Sequence, residues 1–242
     1  MKAGQAVVAE FLGTGLLLAI VVGSGIMGVR LSGGNEAIAL LANAAATAGG
    51  LYVLIVLLGP ISGAHFNPAV TLAMRLRGEM LPAPWPAYLL AQVLGAIVGV
   101  WLAHAMFELP LWQPGTRVRT GFAQHLSEAV ATFGLLLTIV LGARFRPAAL
   151  PALVAGWIFA AYWFTASTSF ANPAVTLARA LTQSFAGIRM ADVPGFVVAQ
   201  GVGMLLALLA ARFLLAPLPG SLRGQPEDTP LAQPPAQSSD LR

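Results

Sequence analysis

Residues 67–73 read Asn-Pro-Ala-Val-Thr-Leu-Ala, and residues 172–178 read the same seven letters. Asparagine is a favoured N-cap and proline a favoured first helical residue, so Asn67-Pro68-Ala69 and Asn172-Pro173-Ala174 each start a helix. Two further pairs keep the same order along the chain. Glu10 with Thr14 matches Glu128 with Thr132, and Ala91-Gln92 matches Ala199-Gln200. The sequence therefore reads as one unit written twice, about residues 5–107 and again about 120–215.

Around these motifs the chain is poor in charge. Of 242 residues, 57% are apolar and 9% charged, with a mean hydropathy of +0.79, far from the composition of a water-soluble domain. The basic side chains are one lysine and twelve arginines that punctuate apolar runs and form no patch, which argues against a nucleic-acid partner. No cysteine is present, so disulfides, zinc-thiolate sites and a cysteine nucleophile are excluded. His65, His104 and His125 are far apart in sequence, which argues against a metal or haem centre, and no cofactor is expected.

A charge at the bilayer centre costs several kcal/mol and a crossing helix needs roughly 20 apolar residues. The stretches that qualify are 11–29, 37–74, 80–107, 120–143 (broken by Glu128), 147–178 and 193–211. Two are too long: the run 37–74 as one helix would measure about 57 Å against a hydrocarbon core of about 30 Å. Each overlong run contains a motif proline, Pro68 or Pro173, where a helix restarts. Both are expected to be a full span followed by a re-entrant loop and a half-helix. The expected fold is an all-α membrane protein with six transmembrane helices and two half-helices.

Three crossings per half is an odd number, so the second copy is inverted and the two loops meet near the midplane, where inverted repeats place their solute path. If each asparagine oxygen caps its helix, the amide NH2 is free to donate into the space between the loops. Both half-helices aim positive dipole ends there, which opposes cations and protons. The irregular backbone before each asparagine, Gly63, Ala64, His65 and Phe66, and Thr168, Ser169, Phe170 and Ala171, is tolerated at that depth where it lines a watery path. Lys2, Arg75, Arg77, Arg144, Arg146, Arg212 and Arg223 fall on the side of the termini, against Arg30, Arg117, Arg119, Arg179 and Arg189 opposite. That bias favours cytoplasmic termini. The first span is expected to be retained, not removed as a signal. From residue 216 onward the Pro, Gln, Ser and Asp content predicts a disordered tail.

The stretch Ile61-Ser62-Gly63-Ala64-His65-Phe66-Asn67-Pro68-Ala69-Val70-Thr71, together with Asn172-Pro173-Ala174, resembles the aquaporin, or major intrinsic protein, family over about residues 5–215. The resemblance implies a passive channel and not an enzyme, a homotetramer with one pore per subunit, and a place in the plasma (inner) membrane. It also implies that Glu10 and Glu128 brace the re-entrant loops. Most family members carry an arginine directly after the second motif, where this chain has Val175. Counting from the asparagines, the other filter positions are Thr47, Ala160 and Ser169. Those four side chains predict a wide, uncharged constriction that passes water, polyols, urea and undissociated metalloid hydroxides such as arsenous acid. The filter and Leu177 to Ile188 are similar to a bacterial subgroup associated with arsenic detoxification. Trivalent arsenic seeks thiols, and this chain has none to trap it.

Other readings of single residues stay open at this stage. Arg179, one turn beyond Val175, either points into the pore as a displaced filter charge or snorkels to the surface. Trp157, Trp163 or Phe164 would narrow the path if one faced it, giving a water-dominated pore. His65 is read as pore lining, with gating on protonation as the alternative. His104 and His125 are placed at the interface. As intramembrane carboxylates, Glu10 and Glu128 also admit a proton-coupled transporter.

Overall fold

Why the two overlong apolar runs break where they do is visible in the backbone. The computed structural model describes residues 2–79 and 82–216. Its helices are α1 (Ala3–Leu31), α2 (Glu36–Ser62), α3 (Pro68–Leu76), α4 (Trp85–Met106), α5 (Phe122–Phe145), α6 (Leu150–Phe164), α7 (Pro173–Arg179) and α8 (Val193–Leu214). α2 stops at Gly63, whose φ of 88° ends a helix without steric cost. Asn67 then starts α3, its side chain accepting from the Ala69 N–H. α6 stops at Thr165 in an extended conformation, and Asn172 starts α7 by accepting from Ala174 and Val175. Six segments are long and apolar enough to cross a membrane, the fifth counting the Pro147–Ala149 turn with α6 and the sixth the Met190–Asp192 turn with α8. The structure is thus all-helical among the described residues, with six spans and two half-helices. The expected tail lies, from residue 217, outside the described residues.

One boundary needs correction. The search for uncharged runs starts the first span at residue 11, whereas α1 begins at Ala3 and carries Glu10 fully buried inside it. A charge gap marks a span's limits only when its carboxylates lack partners, and Glu10 has several.

The packing repeats as the sequence does. α1 lies against α2 and α4, and α5 lies correspondingly against α6 and α8. Between the halves, α2 meets α6, while each half-helix rests on the last helix of both repeats, α3 on α4 and α8, α7 on α8 and α4. The closest seams are glycine-lined. A Cβ on Gly99 would strike the Gly15 carbonyl of α1 and one on Gly95 the Phe11 carbonyl, and the second contact recurs in the other half, where a Cβ on Gly203 would strike the Ala129 carbonyl of α5. Backbone cannot move aside as a side chain can, so Gly99→Leu is expected to destabilise the α1–α4 pair by about 3 kcal/mol or more. Thermal inactivation in detergent would check this, with Gly4→Leu, at a site with open space, as the neutral comparison.

Candidate functional site

Each re-entrant loop is held in an unusual backbone conformation by one buried carboxylate. In the first, Gly63, Ala64 and Phe66 have φ of 88°, 50° and 49°; in the second, Thr168, Ser169 and Ala171 have φ of 62°, 50° and 48°. Five of these six residues are not glycine, so the left-handed backbone is strained and needs external bonds to persist. Glu10 supplies them to the first loop, accepting from Ser62 Oγ at 2.7 Å and from the N–H groups of His65 at 2.9 Å and Phe66 at 2.7 Å. Glu128 supplies the second, accepting from the N–H groups of Phe170 and Ala171, both at 2.9 Å. The matched glutamines complete the pattern: Gln92 Nε2 donates to Glu10 and Thr71, and Gln200 Nε2 to Glu128 and Thr176. The paired glutamates, the paired glutamines and the threonines of the repeated heptapeptide thus converge on two equivalent clusters.

The half-helix tips are tied directly to each other. Asn67 Nδ2 donates to the Ala171 carbonyl at 2.8 Å, and Asn172 Nδ2 donates to the Phe66 carbonyl at 2.8 Å. With both Oδ1 atoms capping their helices, each amide keeps one N–H for the adjoining space. That refines the expectation of a wholly free NH2 group: one of its two hydrogens is spent on the opposite loop. The two copies also differ at the motif threonine. Thr176 donates back to the Asn172 carbonyl at 2.8 Å, whereas Thr71 faces His65 Nδ1 at 3.1 Å. Thr71 Oγ also accepts from Gln92 Nε2.

A cavity of about 480 Å³ runs beside the paired asparagines. Towards the side of the chain termini it is lined by Arg77, Glu79 and Arg144, and at midplane by Asn67 and Asn172. Towards the far side it meets Thr47, Ser169, Val175 and Arg179. Gly63, Ala64, His65, Phe66, Phe170 and Ala171 also line it; Thr168 does not. The motif residues Pro68, Ala69, Pro173 and Ala174 lie behind the tips as the first helical turns.

Ala160 is a correction. It is exposed on the outside of α6, and the wall is built by Val154, Ile158 and Tyr162, which recur every four residues. Counting back from Asn172 across the irregular 165–171 segment lands on the wrong face, and the four-residue spacing would have found the right one. Tyr162 is also the aromatic that faces the cavity, its hydroxyl 3.3 Å from Thr47 Oγ1. Trp157 instead fills the α5–α6 seam over Gly134 and donates to the Ala131 carbonyl, while Trp163 and Phe164 point outward. His104, expected at the interface, is buried between the Leu111 carbonyl and Thr182 Oγ1.

The far-side loops supply cations that the sequence reading left scattered. Arg179 is 1% exposed and does not snorkel. Its guanidinium carbon lies 3.4 Å from the Phe170 ring centroid, and its Nε donates to the Ala186 carbonyl. Arg119, from the α4–α5 loop, lies 5.0 Å from the same centroid and donates to the carbonyls of Gly187 at 2.9 Å and Ser167 at 2.8 Å. Burial first, then the neighbouring Arg179 and Arg117, pull its pKa down to about 9.

Two helix stubs that enter a six-span frame from opposite sides and join tip to tip beside an elongated cavity define a membrane channel. The Major intrinsic protein family model matches residues 1–146. Aquaglyceroporin AqpS of Rhizobium meliloti (strain 1021) is 55% identical over 224 residues, covering 92% of this chain and 96% of that protein. The glycerol uptake facilitator protein of Bacillus subtilis (strain 168) is 33% identical over 147 residues, 52% of each. In fold, the chain is similar to the aquaglyceroporin from Plasmodium falciparum, with a TM-score of 0.61 at 20% identity over 88% of this chain and 95% of that one. The chain belongs to the major intrinsic protein family, whose members are channels and not enzymes.

Proposed function

We propose that the chain is a passive pore of the aquaglyceroporin kind for water and small uncharged solutes, polyols first and undissociated metalloid hydroxides such as arsenous acid among them. The observation that carries this reading is the cavity's route. It passes both asparagine amides and reaches a wall of Thr47, Ser169 and Val175, with no guanidinium at the position after the second motif. Selectivity in such a pore follows diameter and lining donors. A valine and two small hydroxyl side chains leave room for a solute larger than water. The 55% identity to a protein named aquaglyceroporin supports the same class. Both termini on the cytoplasmic side of a plasma membrane, and assembly as a homotetramer, belong to this proposal.

A second reading, a water-dominated pore, is favoured by Tyr162 and Arg179, which both line the far end. Stopped-flow shrinkage of proteoliposomes separates the two. Glycerol and arsenous acid uptake above that of empty liposomes is the expected result. Water flux with neither solute passing would leave only the second reading.

A further inference from the structure

Two buried guanidiniums lie against one aromatic ring at the far end of the cavity, and neither bonds to the glutamate–glutamine clusters. A buried cation is costly unless its field or its donors serve something. Among the described residues the ion pairs are Arg77–Glu79 and Arg189–Asp192, so neither Arg119 nor Arg179 has a carboxylate at salt-bridge distance. Arg119 spends its donors on loop carbonyls and so has a structural task. Arg179 does not: with Nε on Ala186, its Nη1 is buried and has no partner. Ser169 Oγ, on the wall of the same cavity, is likewise buried without a partner. Both atoms belong to side chains at least nine-tenths buried.

We propose that Arg179 supplies the pore's charge barrier and a donor for solute hydroxyls, in place of the arginine that Val175 omits. The inference rests on the reading of the cavity as a conducting pore. α7 carries Arg179 one turn beyond Val175, about 6 Å further along the axis. There the charge acts at the end of the cavity and leaves the width beside Val175 untouched. A positive charge against mainly apolar walls repels a passing cation through a poorly screened field. An uncharged polyol meets a fixed N–H donor and the Ser169 hydroxyl. Phe170 holds the guanidinium from one side and Ala186 from another. Arg119 sits against the same ring, and its own charge adds to the barrier.

The test compares wild type, Arg179→Met, Arg179→Gln and Arg179→Lys in proteoliposomes, reading proton and sodium leak in parallel with water and glycerol flux. Wild type and R179K should stay tight to cations. R179M should leak cations at least about tenfold more than wild type, and its glycerol flux should fall relative to its water flux because the solute donor is lost. R179Q, closer in length and able to keep a donor near Ala186, carries the same expectation for the cation leak if the methionine variant fails to assemble. Unchanged cation leak in an uncharged variant with wild-type water flux overturns the proposal. So does a leak in R179K equal to that of R179M. Absence of both water and glycerol flux from wild type would instead refute the pore reading itself, and the proposal with it.

Discussion

Glu10→Leu is expected to give almost no assembled channel. The substitution keeps the apolar character of α1 but leaves Ser62 Oγ, the N–H groups of His65 and Phe66, and Gln92 Nε2 without their acceptor. Unsatisfied buried donors cost about 1–3 kcal/mol each, so the four together amount to about 4–12 kcal/mol, comparable with the whole stability of many domains. The left-handed backbone at Ala64 and Phe66 loses its restraint at the same time. Monodisperse yield in detergent is the measurement, and a wild-type yield would show that the loop stands without the carboxylate. The same geometry bears on the proton-coupled alternative. Every partner of Glu10 donates, so the site is built for the ionised, acceptor-only form, and a carboxyl that took up a proton in each cycle would oppose one of those donors. Solute flux in wild type should accordingly ignore an imposed proton gradient.

Val175→Arg should reduce glycerol flux at least about tenfold and water flux by no more than about threefold, because a long cation fills a passage that water can still thread. Val175 lines the cavity near Thr47 and Ser169, on the first turn of α7, whose start is fixed by the Asn172 cap. The new side chain therefore projects into the space now left by the valine. Equal loss of both fluxes would mean that Val175 is not at the narrowest level. Paired with the Arg179 variants, this substitution separates width from charge: one position sets what fits, the other which sign is refused.

What could be read from the letters was local or symmetric. Pro68 and Pro173 mark helix starts because proline tolerates little else in an apolar run, and the repeated heptapeptide makes the inversion a matter of counting crossings. Glu10, Glu128, Gln92 and Gln200 were found as pairs, so their convergence followed once the fold placed the two loops. Ala160 failed because its place was taken by counting through seven residues that are not helical. Tyr162 was missed for the same reason, though its spacing from Ile158 and Val154 carried the signal. Arg119 had no local signature at all. Its partners Ser167 and Gly187 lie in two loops on either side of α7 that only the closed structure brings beneath it, and no period or motif in residues 110–121 announces that reach.

The crossed asparagine-to-carbonyl bonds have a bearing on how the molecule is made. When the first three spans have left the ribosome, the Asn67 amide and the Phe66 carbonyl have no counterpart, since Ala171 and Asn172 are still untranslated. The nascent half must therefore keep water or the insertion machinery at that depth. It becomes lipid-proof only on the arrival of its mirror image, so synthesis of the two halves as one polypeptide protects the first from being released unfinished.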